Sequence, residues 1–230
     1  MITAPAGSAV GRQSLRRVLH TIAAAVPAAG LVLSLVLLLI SGADVNSADN
    51  AVAPLGVRLV RFFSYFTIQS NILVLIASIT LLLRPTRDGT IWRVLRLDSL
   101  LAIVITGIVY ATLLAPLAHP QGADFVANAL LHYICPWLTL AVWLVVGPRP
   151  RINWSTIATA FAWPVAWIAY TLIHGAISGW YPYPFLDVGR LGYPKAIGNI
   201  VLILVAAGVI AVIFRLLDRL PSLSLSGDRT

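Results

Sequence analysis

The chain has 230 residues, 59% of them hydrophobic and only 10% charged, and its mean hydropathy is +0.90. One soluble core cannot hide that much apolar surface, so the solvent for most of it is lipid. The formal net charge of +8 comes from cations spread over short links instead of gathered in one soluble region, which argues against nucleic-acid binding and for contact with anionic lipid headgroups.

Runs such as LVLSLVLLLI and IVLILVAAGVIAVIF are too uniformly apolar for the alternating strands of a barrel. A hydrocarbon core roughly 30 Å thick takes about 20 apolar residues per crossing helix. The expected fold is therefore all-α, a polytopic bundle of six transmembrane helices over roughly 18–40, 62–83, 97–117, 127–146, 154–178 and 197–217. Residues 1–17 form an N-terminal segment, 18–217 the membrane domain and 218–230 a polar tail expected to be disordered, with no soluble domain appended.

Basic residues recur at alternate links. Arg12, Arg16 and Arg17 precede the first span, Arg84, Arg87, Arg93 and Arg96 fill the second link, Arg149 and Arg151 the fourth, and Arg215, Arg219 and Arg229 the end. This predicts an N-in, C-in orientation in the plasma membrane. The first apolar run is longer than a signal-peptide core and reads as a retained anchor. The single cysteine, Cys135, falls inside a span and reads as packing.

Of the outer links, GWYPYPFLDVGRLGYPK combines Trp180, Tyr181, Tyr183, Phe185 and Tyr193 with three prolines. An interfacial aromatic belt accounts for the rings; the prolines fit a rigid aromatic lid lying on the membrane surface.

Polar groups inside hydrocarbon are costly, so their positions are informative. The second span runs inward, placing Thr67 about 9 Å below its outer end. Ser64, Thr67 and Asn71 are spaced by three and four, as if on one helical face. On the fourth span Asn128, His132 and either Cys135 or Pro136 repeat that spacing, with His132 near the depth of Thr67. Tyr110, His174 and Asn199 fall at similar levels on three further spans. The inner half reads as nearly all Leu, Val, Ile and Ala, so no polar path crosses the membrane, which argues against a channel or proton pump.

A hydroxyl beside a neutral imidazole is the minimum for covalent acyl transfer, because the base must take the hydroxyl proton. Thr67 and His132 fit that pair, as catalytic residues of an intramembrane lipid-ester hydrolase acting in the outer-leaflet half. Asn71, Asn128 or Asn199 can orient the imidazole or donate to an oxyanion, and His174 can serve as a second base, an oxyanion donor or a substrate contact. Tyr110 and Ser64 are further supporting hydroxyls. No metal is expected, since His132 and His174 lack a third ligand, and no cofactor is needed. Two alternatives use the same residues: a haem-binding redox protein with His132 and His174 as axial ligands, or a non-catalytic lipid-binding protein. The expected partners are membrane lipids and a lipid ester.

The segments FFSYFTIQSN, LLHYICP, IHG and WYPYPFLDVGRLGY resemble a family of bacterial predicted six-transmembrane proteins, related to the eukaryotic androgen-induced-gene and FAR-17a-type membrane proteins. The resemblance covers about residues 15 to 218. Members of the eukaryotic branch are intramembrane threonine hydrolases of fatty acid esters of hydroxy fatty acids, and the resemblance implies the threonine role for Thr67 and the histidine role for His132.

Overall fold

A computed structural model describes residues 6–41 and 53–220 of the chain. Part of the first outer link, 42–52, and the tail 221–230 lie outside the described residues, as does the disorder expected of that tail. Among the described residues every regular element is helical, and six helical stretches are long and apolar enough to cross a membrane. This is a multi-pass integral membrane protein.

Helix α1 (Ala6–Ser41) is followed by a short α2 (Leu55–Ser64) and then α3 (Phe66–Leu83). The third span is α4 (Thr90–Val109), which passes into a π-helical turn, Tyr110–Leu114, and a 3₁₀ turn, Ala115–Leu117. The fourth joins α5 (Gly122–Asn128) through a π-helical segment, Ala129–Ile134, to α6 (Cys135–Val146). The fifth is α7 (Trp154–Ala160) and α8 (Ala162–Ser178), and after a short α9 (Val188–Leu191) the sixth is α10 (Tyr193–Leu217). Several spans start earlier than their apolar runs indicate, because helix geometry continues through flanking polar residues such as Arg93 and Arg96.

The centre of the bundle is α4. Its residues Leu97 through Val104 are all buried, as expected of a helix surrounded by others. It packs against α3, α6, α7 and α10. Cys135, fully buried in the same core as Ile103 and Trp143, is a packing residue as anticipated.

At the end of the bundle that carries both described chain ends, Asp88 accepts ion pairs from Arg93 at 2.7 Å and Arg151 at 2.8 Å, tying two links together. The Arg93 hydrogen bond holds the Asp88 carboxyl well below the usual carboxylate range. Asp218 Oδ2 accepts the Ile152 amide at 2.6 Å, fastening the fourth link to the end of α10.

Two features place the site. First, α2 and α3 are not one span: Tyr65 adopts an extended conformation (φ −66°, ψ 127°) between them. The carbonyl of Ser64, exposed by the break, accepts the Trp167 indole N–H at 2.9 Å, so the interruption is satisfied within the protein. Second, each π-helical turn ends just ahead of a proline, Pro116 or Pro136. A proline ring collides with the carbonyl four residues back, and widening the turn relieves the collision. In this register Cys135 donates to the Leu130 carbonyl, five residues back. The next such bond, from Pro136 to the Leu131 carbonyl, cannot form because proline has no N–H. Gly107 lets α4 approach Pro136 closely; a Cβ there would sit 2.9 Å from the proline Cβ.

Candidate functional site

Thr67 is the second residue of α3, directly after the break, at the end of the bundle away from the described chain ends. Its Oγ1 lies 3.2 Å from His132 Nε2. The other ring nitrogen, Nδ1, lies 3.3 Å from the Asn128 carbonyl oxygen, which can only accept. The proton of a neutral imidazole therefore sits on Nδ1, and Nε2 presents a lone pair to the threonine hydroxyl. Tyr110 stacks on the imidazole with centroids 4.0 Å apart and an interplanar angle of 25°, fixing the ring plane. Tyr110 opens one π turn and His132 lies within the other, so the widened backbones bring these two rings together.

The third hydroxyl comes from the aromatic link. Tyr183 Oη accepts the Thr67 backbone N–H at 3.2 Å and lies 3.3 Å from Thr67 Oγ1. The first amides of a helix lack the usual acceptor four residues back; here the Ile68 and Gln69 N–H groups turn to the Tyr65 carbonyl, and the Thr67 N–H is satisfied by Tyr183. Tyr183 and Leu186 are only 7% and 3% exposed. The link thus does not lie on the membrane surface as the sequence indicates; its middle dips into the bundle, where the Tyr183 ring packs against Tyr65 and Trp167 and stacks on Phe185.

The remaining polar residues take other tasks. Asn71, fully buried, donates to the Thr67 carbonyl at 2.8 Å and to the Leu131 carbonyl at 3.3 Å. The second is the carbonyl orphaned by Pro136, so Asn71 fastens the threonine helix to the histidine segment; with both amide hydrogens engaged, it neither orients the imidazole nor donates to an oxyanion. Ser64 does not share a face with Thr67, because the break at Tyr65 intervenes. Its hydroxyl bonds the Val60 carbonyl at 2.7 Å and Tyr170 at 2.6 Å. Asn199 donates to the Phe185 carbonyl at 2.9 Å and anchors the inserted link. Asn128 contributes its backbone carbonyl to the imidazole. His174 lies against Trp180 and Tyr170 with Nδ1 3.3 Å from Ser178 Oγ. It is therefore not joined to the Thr67–His132 pair, and the ring nitrogens of His132 already face Thr67 and Asn128 instead of a shared site with His174.

Below the pair runs an apolar cavity of about 80 Å³ between α4, α8 and α10. Thr67 and Tyr183 stand in its wall at one end, and its sides are residues such as Leu101, Ile105, Ile168, Ile203 and Leu204. Thr67 therefore faces His132 on one side and the cavity on the other. The inner half of the bundle is also less uniformly apolar than its sequence reads, since Arg96, Asp98 and Ser99 are buried there.

Compared with models of known families, with curated proteins and with solved structures, the chain matches none. Sequence reasoning passes over Tyr183 as a site residue, since it lies 116 positions from Thr67 in what reads as a surface link. The available signal was a tyrosine between two prolines, Pro182 and Pro184, a segment held extended and able to project one ring inward.

Proposed function

We propose that this protein is an intramembrane hydrolase of fatty-acyl esters with Thr67 as nucleophile. The observation that carries the reading is the line from Thr67 Oγ1 to His132 Nε2 at 3.2 Å and from Nδ1 to the Asn128 carbonyl at 3.3 Å, a nucleophile, a base and a group that orients the base. An acyl chain in the cavity brings its ester carbonyl to Thr67. Oγ1 forms a bond to the carbonyl carbon as its proton passes to Nε2. The tetrahedral oxyanion is met by the Tyr183 hydroxyl, whose oxygen is held by the Thr67 backbone N–H. Collapse breaks the bond to the alcohol oxygen, which takes the proton from the imidazolium. Water, deprotonated by His132, then attacks the acyl-threonine, releasing the fatty acid and restoring the hydroxyl.

The resemblance to the threonine hydrolases of the androgen-induced-gene type supports the same two residues. Basic links on the side of the chain ends support an N-in, C-in orientation in the plasma membrane, which puts the site in the outer-leaflet half. The test is labelling of detergent-purified protein by a fluorophosphonate. Wild type is expected to label, and Thr67→Ala and His132→Ala are expected not to. Undiminished labelling of Thr67→Ala would remove the covalent role.

A further inference from the structure

The cavity has a polar residue at its far end. Asp98 of α4 is 9% exposed and lines the cavity, and among the described residues no cation lies within ion-pair distance of it. Arg96, two positions earlier, projects from a different face of the helix and bonds Ser99 instead. A carboxyl group placed in hydrocarbon without a partner is costly, and such residues mark ligand or ion sites. The walls between Thr67 and Asp98 offer no competing free hydroxyl, because the Thr106 hydroxyl is engaged with Ser70 at 3.0 Å.

The spacing follows from helix geometry. Ser70 is one turn below Thr67, and the Ser70–Thr106 bond sets Thr106 at that level. Asp98 is two turns further along α4, so its level is about 16 Å below that of the nucleophile at 1.5 Å per residue. A medium-length extended acyl chain spans that distance, and because the cavity is partly open at the protein surface such a chain is enclosed along only part of its length.

We propose that the cavity selects acyl chains that carry a hydroxyl at the end remote from the ester, with Asp98 accepting the hydrogen bond from that hydroxyl. The inference rests on the hydrolase reading for the ester, while the Asp98 contact itself needs only binding. A purely apolar cavity distinguishes poorly between chains that differ by one hydroxyl, whereas a site built to bond it discriminates strongly against the chain that lacks it. Any plain chain filling the cavity would leave the carboxyl buried against methyl groups.

The test has two arms on purified full-length protein. In the first, thermal stabilisation by lauric acid and by ω-hydroxylauric acid gives their relative affinities. The hydroxylated acid is expected to bind at least about tenfold more tightly, and the preference is expected to vanish or invert in Asp98→Leu. Asp98→Asn keeps one acceptor oxygen and is expected to retain part of it. Equal affinity of wild type for the two acids overturns the proposal, and that comparison needs no variant to fold. In the second arm, kcat/KM is measured for the p-nitrophenyl esters of both acids, with the hydroxylated ester expected to be favoured in wild type and disfavoured in Asp98→Leu. If neither ester is cleaved but the binding preference depends on Asp98, the hydrolase reading falls and the Asp98 contact stands. If both are cleaved with equal kcat/KM, hydrolysis stands and the hydroxyl selection falls.

Discussion

The polar side chains around Thr67 divide the work among them, although the buried Asn71 Oδ1 has no hydrogen-bond partner among the described residues. His132 is held by the Asn128 carbonyl and the Tyr110 ring, leaving Nε2 for Thr67. In the proposed hydrolysis Tyr183, with its hydroxyl 3.3 Å from Thr67 Oγ1, is the donor to a developing oxyanion. Tyr183→Phe keeps the ring and its packing, so kcat for an ester that wild type cleaves is expected to fall on the order of a hundredfold with KM little changed; an unaltered kcat would make Tyr183 a packing residue only. Asn71 acts through the backbone. The Thr67 carbonyl also accepts from the Ser70 hydroxyl, but replacing Asn71 with Ala leaves the Leu131 carbonyl buried without its amide donor, so chemical denaturation in detergent is expected to show a loss of about 1–3 kcal/mol. The Thr67 and His132 positions were legible from sequence because helix rise converts residue number into depth. The role of Asn71 was not, since its acceptor exists only because Pro136 cannot donate.

At the level of elements, the site is assembled from interruptions. The helix break at Tyr65 exposes the start of α3, the two π turns bring Tyr110 and His132 face to face, and the aromatic link inserts Tyr183 between them and the cavity. The link is seated partly by Gly175 of α8, where a Cβ would fall 2.1 Å from the Tyr181 ring. Gly175→Ala is expected to displace Tyr181, and with it the neighbouring Tyr183, so that fluorophosphonate labelling slows although neither Thr67 nor His132 is touched. Labelling at the wild-type rate would show that Tyr183 is positioned independently of Tyr181. The π turns were partly readable, because Pro116 and Pro136 announce a disturbed helix. The break at Tyr65 was not, since FFSYFTIQ holds neither glycine nor proline and the interruption is stabilised by Trp167, about a hundred residues away in sequence, through its bond to Ser64.

For the whole molecule, six crossings put Arg84, an exposed residue on the second link, at the end opposite Gln121, an exposed residue on the third. With Cys135 fully buried, single cysteines at these positions report topology. In intact cells, Gln121→Cys is expected to react with a membrane-impermeant maleimide and Arg84→Cys only after permeabilisation; the reverse pattern would invert the orientation read from the basic links. The same orientation decides which leaflet Thr67 faces, because Thr67 lies toward the Gln121 end.

Composition and apolar length by themselves determined that the chain is a six-helix membrane protein, because the cost of exposing peptide groups to hydrocarbon leaves long apolar segments no alternative to helix. Depth along those helices was enough to pair Thr67 with His132. Rotation of each helix about its axis, and the path of a link once it leaves the membrane plane, are set by packing with distant segments, and only the tertiary structure decided them. It separated Ser64 and His174 from the pair, brought Tyr183 to it, and placed Asp98 at the end of the cavity.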